Sequence, residues 1–281
     1  MKVLLELNAD IRFRQMASIF DALPDFQLIF WEKNRKPTFD IIDETQPDIV
    51  IITNDQVINQ EVGYALSDYP KTKLVVFNER PASGVVPDLV CYWPDIIHSM
   101  DQWMHYDGKR LGFSHYANPV MFRGGKPEER FKCDVIAIPA RHEFMDMPSR
   151  DEARIKQYNS IATKFDLKVF GRRVPHPNYV GDIRAEEIPS AILSSRIYLD
   201  CNDMCAKGAE FLGIPVVNWR GTDMEIISEI ENLLADEELY ADQAGGKMYE
   251  AKSETYLHRI NKMFEELELE KRINVTDWTT S

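Results

Sequence analysis

Two arginines follow a short apolar run and its glycine in Leu167-Lys168-Val169-Phe170-Gly171-Arg172-Arg173. Guanidinium groups match phosphate oxygens with two parallel donors, so this spacing points to an anion. Further along, Arg196–Asp200 breaks at Cys201-Asn202-Asp203 and passes into a helical pattern that carries Lys207 and Glu210. The opening of a helix offers free N–H groups to an anion. Lys207 suits a phosphate, and Glu210 or Asn202 suits the hydroxyls of a ribose or sugar. Arg141 adds a cation after another strand pattern. Such a set fits a molecule with a diphosphate at its centre and hydroxyls at both ends. Taken singly, each is also an ordinary solvated residue.

A second set lies nearer the N-terminus. Asp10 follows one strand pattern and Asp55 another. A carboxylate there could deprotonate an acceptor hydroxyl, although both positions also fit helix N-caps. His98 and His115 fall in an irregular segment where they could touch an acceptor, or simply pack. Arg12 and Arg14, with Lys33, Arg35 and Lys36, interleave with Phe13 and Trp31. That is a local patch suited to phosphates, or a solvated helix face and loop.

These residues need elements to hold them. Lys2–Leu7, Phe26–Trp31, Asp48–Thr53, Lys73–Phe77 and Leu89–Tyr92 read as short buried strands. Helical spacing lies between them at Ile11–Leu23, Phe39–Thr45 and Gln56–Ser67. From Pro94 to Arg130 the periodicity fades, and Arg123–Arg130 (RGGKPEER) reads as a linker. The alternation restarts with strands at Cys133–Ile138, Leu167–Phe170, Tyr179–Val180, Arg196–Asp200 and Pro215–Trp219. Helices are expected at Arg150–Phe165, Ala185–Leu193, Met204–Leu212, Thr222–Leu234 and Lys247–Leu269. Strands alternating with helices predict parallel sheets covered on both faces. The expected organisation is two α/β domains, at 1–125 and 131–250, with a long closing helix and tail over 251–281.

Composition bounds the rest. The chain has 281 residues, is 44% hydrophobic and carries a formal charge of −13. That length suits one large or two ordinary domains. The acidity disfavours binding to nucleic acid or anionic membrane by bulk electrostatics, but leaves room for a local groove. Four cysteines, Cys91, Cys133, Cys201 and Cys205, are too few for a disulfide scaffold, and no histidine near the last two completes a zinc set. Reduced thiols in a cytoplasmic protein are expected, with no signal peptide and no membrane span. The glycine fingerprints of dinucleotide and P-loop sites, the G-x-S-x-G elbow and H-E-x-x-H are all absent.

The order of pieces from Leu167 to Trp219 resembles the C-terminal domain of GT-B glycosyltransferases. It is closest to the spore-maturation-type group, through Phe170-Gly171, Val180-Gly181, Ser194-Ser195, Tyr198-Leu199, Glu210 and Gly213-Ile214-Pro215-Val216. Phage DNA glucosyltransferases have a similar acidic helix followed by Gly, Ile-Pro-Val and Trp. The resemblance carried by Leu167–Trp219 implies that the two domains are Rossmann-like and face across a cleft. It also implies a metal-independent hexosyl- or pentosyltransferase using a nucleotide-sugar, UDP-linked, as substrate and needing no cofactor. It implies a donor side built from Arg141, Gly171, Arg172, Arg173, Ile183, Asn202, Lys207 and Glu210. The acceptor side would hold Asp10 and Asp55 as candidate bases, with Arg12, Arg14, His98 and His115 as acceptor contacts. A hydroxymethylated base in phage DNA, modified in the host cytoplasm, is one such acceptor. Many of these enzymes carry the donor-binding Glu five residues before the Gly of the last strand, and here that position is Gly208. A non-catalytic nucleotide-sugar-binding protein and a sugar-nucleotide epimerase are the alternatives.

Overall fold

The structure is a computed structural model. The residues it describes are 1–6, 11–32, 37–53, 56–77, 87–92, 108–114, 116–139, 148–171, 176–200 and 203–279, with backbone alone at 11–13, 56–60, 148–151 and 203. The chain divides into two compact units, Met1–Ser114 with Tyr256–Val275, and His115–Thr255 with Thr276–Ser281.

The first unit alternates β1 (Lys2–Glu6), α1 (Ile11–Ala22), β2 (Gln27–Trp31), α2 (Thr38–Thr45), β3 (Ile49–Thr53), α3 (Gln56–Leu66), β4 (Lys73–Phe77), β5 (Leu89–Tyr92) and β6 (Arg110–Gly112). The sheet order is β2-β1-β3-β4-β5-β6, parallel throughout. Ile49, Val50, Ile51 and Ile52 are all fully buried, as a central strand covered on both faces requires. Leu4, Val50, Ile52, Leu74 and Val76 pack with Ile42, Val62 and Ala65 from α2 and α3. Their neighbours along each strand turn to the other face. Right-handed crossovers explain the split, because the chain moves one way through α1 and the opposite way through α2 and α3.

The second unit begins with a one-turn helix, α4 (Pro119–Phe122), whose start is capped by the Asn118 side chain. It continues through β7 (Cys133–Ala137), α5 (Pro148–Ala162), β8 (Leu167–Phe170), β9 (Tyr179–Gly181), α6 (Ile188–Leu193), β10 (Ser195–Asp200), α7 (Asp203–Phe211), β11 (Val216–Asn218), α8 (Asp223–Ala235) and α9 (Glu237–Ser253). The order is β11-β10-β7-β8-β9, again parallel. Tyr158, Ile161, Ile226 and Ile230 of α5 and α8 cover one face. Phe122, Ala191, Ile192, Cys205 and Ala209 of α4, α6 and α7 cover the other. The chain then returns to the first unit as α10 (Tyr256–Glu266), where Phe264 meets Phe20 and Phe26. A short α11 (Thr276–Thr279) puts Trp278 beneath Arg123 of the second unit.

Three local readings change. The single helix expected over Lys247–Leu269 is two, because Glu254 leaves the helical conformation at φ −139° and ψ 86° and the fully buried Thr255 pairs with Ala117. Helix α9 starts well before Lys247, at the Asp236 cap, whose carboxylate accepts from Glu238 N and Leu239 N at 3.0 Å. Arg123–Arg130 does not run as a free linker. Lys126 N donates to Ser190 Oγ at 3.1 Å, Glu128 N donates to Ser194 Oγ at 2.7 Å, and Arg130 bridges to Glu187 at 3.0 Å.

Candidate functional site

In open parallel sheets, molecules bind outside the C-terminal strand ends at the point where strand order reverses. The first sheet reverses between β1 and β3, and the second between β7 and β10. The loops that leave these four strands begin just before Asp10, Asp55, Arg141 and Asn202. In chain order, four of the sequence candidates thus follow the strands that flank the two switch points. Those four side chains, with Arg172, Arg173, His98 and His115, lie outside the described residues.

At the second switch point, β10 ends in Asp200 and is followed by the start of α7. The fully buried Tyr198 ties β10 to its neighbour by donating from its hydroxyl to Ile138 O at 3.5 Å. Tyr198 also hydrogen-bonds Cys205 on the inner face of α7. Burial pushes the Cys205 thiol up to about 12, with the Tyr198 bond pulling it down only in part. Burial likewise raises Cys133 to about 12. Neither thiol is a nucleophile near neutral pH.

Lys207 and Glu210 share the outer face of α7. The ammonium donates to Glu210 Oε2 at 2.7 Å, with 43% of the Lys207 side chain and 13% of the Glu210 side chain exposed. Lys207 therefore reaches along the helix toward its C-terminal end. Helix α9 brings Lys247 into electrostatic range of Glu210, although Glu250 contributes more to raising that lysine. Gly208 points the opposite way, where a Cβ would stand 2.1 Å from the Phe122 ring. No side chain fits there, so position 208 cannot carry a donor carboxylate, and Glu210 lies on the other face of the helix.

Gly171 ends β8 at φ 138°, a conformation L side chains avoid, and its N–H donates to Gly181 O at 3.2 Å. Ile183 packs its side chain against the core cluster. After β11, the Arg154 guanidinium lies 4.1 Å from the centre of the Trp219 ring, and Gln157 Nε2 donates to Trp219 O at 3.0 Å.

At the first switch point the structure adds residues that sequence reading passed over. Glu6, the last residue of β1, accepts through Oε2 from Thr53 N at 2.7 Å and Thr53 Oγ1 at 2.8 Å. In the sequence Glu6 is only a lone acidic residue closing an apolar strand, and its pairing with Thr53 depends on the sheet order. Arg14 is exposed on α1; the Arg12 side chain lies outside the described set.

A groove of about 760 Å³ runs between α8 and α9, over Met224, Leu233 and Leu239. Its charged lining is Glu225, Glu229 and Asp242. These charges would repel a diphosphate. Among the described residues there is no group of three metal-binding side chains and no helix long and apolar enough to cross a membrane.

Solved structures share this architecture over nearly the whole chain. An alpha-glucosyltransferase in complex with UDP and a 13-mer DNA containing an HMU base matches with a TM-score of 0.59 at 10% identity, covering 95% of this chain and 99% of that one. MnaA of S. aureus, solved with UDP, matches at 0.58 and 13%, covering 97% and 98%. A UDP-N-acetylglucosamine 2-epimerase matches at 0.55 and 13%, with the same coverage. The fold is GT-B-like. At such identities the likeness establishes the fold alone. No protein-family model and no curated protein matches the sequence.

Proposed function

We propose that this GT-B-like chain is a metal-independent glycosyltransferase that moves a hexosyl or pentosyl group from a UDP-sugar to an acceptor hydroxyl. The observation that carries the reading is the second switch point, where the start of α7 opens beside β10 with Lys207 and Glu210 on its outer face. A helix N-terminus and nearby cations stabilise a diphosphate leaving group as its charge develops. In the sequence Arg141 follows β7, and Arg172 and Arg173 follow β8, which adds candidate cations to this reading. The UDP held by two of the structural neighbours supports the donor class.

A hydroxymethylated DNA base is the acceptor we favour, supported by the glucosyltransferase solved with HMU-containing DNA. The net charge of −13 then requires that DNA meet a local basic patch such as Arg12, Arg14, Lys33, Arg35 and Lys36. Sugar-nucleotide epimerisation is the second reading, favoured by the 2-epimerase match.

One experiment separates these readings. The protein is screened by thermal shift with UDP, UDP-glucose and UDP-N-acetylglucosamine. Stabilising donors are then incubated with DNA containing 5-hydroxymethyluracil or 5-hydroxymethylcytosine, with and without EDTA, and all products are weighed. A DNA mass increased by one sugar, unaffected by EDTA, supports transfer. A UDP-sugar isomer selects epimerisation. Binding without turnover selects a non-catalytic binder, and no stabilisation by any nucleotide sinks the whole reading.

A further inference from the structure

Glu6 and Thr53 stand side by side as the last residues of β1 and β3, at the reversal point of the first sheet. Paired backbone between these strands extends only to Leu5 opposite Ile51. Beyond it the Glu6 side chain takes over, with Oε2 receiving both the N–H and the hydroxyl of Thr53 at 2.7 and 2.8 Å. Two bonds to one neighbour fix the orientation of the carboxylate. The other oxygen, Oε1, has no partner among the described residues, and no cation there neutralises the group. The side chain is half-buried at the edge where ligands enter an open parallel sheet.

An oriented carboxylate with one open oxygen accepts a hydrogen bond from an O–H and repels a phosphate. We propose that Glu6 is the group that receives the acceptor hydroxyl, an inference that rests on the glycosyl-transfer reading above. As the acceptor oxygen bonds to the anomeric carbon, its proton passes to Glu6 Oε1. The bond from that carbon to the diphosphate breaks, and its electron pair leaves with the nucleotide. The reacting group of the acceptor is thus an uncharged hydroxyl. Thr53 is a positioning residue that keeps Oε1 turned outward.

The test is Glu6→Gln. The carboxamide oxygen still accepts both Thr53 bonds, but the NH₂ group in place of Oε1 cannot take a proton. The variant is expected to keep the wild-type melting temperature and UDP affinity while kcat for transfer falls at least about 100-fold. Glu6→Asp should recover part of the rate. Wild-type kcat in Glu6→Gln overturns the proposal. If Glu6→Gln fails to fold, Thr53→Val decides, because it keeps the carboxylate and removes one bond. Lower stability with unchanged kcat there makes the pair a strand-end cap and nothing more, whereas lower kcat at unchanged UDP affinity supports the proposal. A wild-type protein that binds no UDP-sugar removes the transfer reading itself and Glu6's role with it, a result distinct from full transfer by Glu6→Gln.

Discussion

Gly208 of α7 is in direct contact with the ring of Phe122 on α4, so that a Cβ on the glycine would meet three ring carbons at 2.1 to 2.6 Å. The contact lets α7 settle against α4 and leaves no room for a side chain at position 208. Gly208→Ala should gain about 1 kcal/mol of helix propensity. The clash with a fully buried ring should outweigh this and leave a net loss of about 2 kcal/mol. Urea denaturation measures it. Phe122→Leu, which opens space, should make the added methyl less costly in the double variant than in wild type, and strict additivity would contradict the geometry.

The Arg123–Arg130 tract is fastened by two hydroxyls. Ser190 Oγ accepts from Lys126 N, while Ser194 Oγ accepts from Glu128 N and donates to Ser190 O at 2.6 Å. Replacing both serines by alanine removes these bonds at a cost of about 2 kcal/mol. Trypsin should then cut after Arg123 and Arg130 much faster than in wild type. Equal cleavage rates would show that the tract is not held by this pair.

What could be read from the chain depended on whether a residue's role is repetitive or singular. Ile49–Ile52 and Val135–Ala137 announce buried parallel strands because every residue in them is apolar. The three residues of β6 are too few to show a period, and the first turns of α9 hide theirs behind Gly245, Gly246 and alternating small and polar residues. The break at Glu254 comes from a tertiary pairing with Ala117 that no local pattern encodes. At the site, Lys207 and Glu210 were legible from helical spacing. Glu6 was not, because its partner Thr53 lies on another strand and only the sheet order brings them together. Gly208 could be seen in the sequence, but the Phe122 ring that fills its Cβ space is a packing fact.

His176 makes the stability of the second unit depend on pH. Its Nδ1 accepts from Asn178 N at 3.0 Å, its Nε2 lies 3.1 Å from Asn159 Oδ1, and its ring meets Tyr158 edge-on. A second proton would have to enter at Nδ1, against the Asn178 N–H, and burial also disfavours the charged ring, lowering its pKa. The unfolded chain therefore binds the proton more readily than the folded one. The contribution of His176 is complete above the ordinary histidine value of about 6.5 and is lost as pH falls below it. The melting temperature should drop between pH 7 and pH 5 more steeply in wild type than in His176→Gln, and parallel curves would exclude the histidine as the cause.

Lys207 and Glu210 supply the sharpest test of the donor side because they are bound to each other before any ligand arrives. A diphosphate at the start of α7 would draw the ammonium away from Glu210, leaving that carboxylate to accept from a ribose or sugar hydroxyl. Both single alanine variants lose a charge-assisted contact and should weaken UDP affinity by about tenfold. Stability should move little, since the pair is partly exposed and spaced i to i+3 on one helix. Arg172→Ala should show a loss of the same size. Titration calorimetry with UDP reads all three. If Lys207→Ala and Arg172→Ala both bind UDP as wild type does, the donor does not lie on this edge. If only Glu210→Ala is silent, its carboxylate serves to hold Lys207 and leaves the hydroxyls to another group.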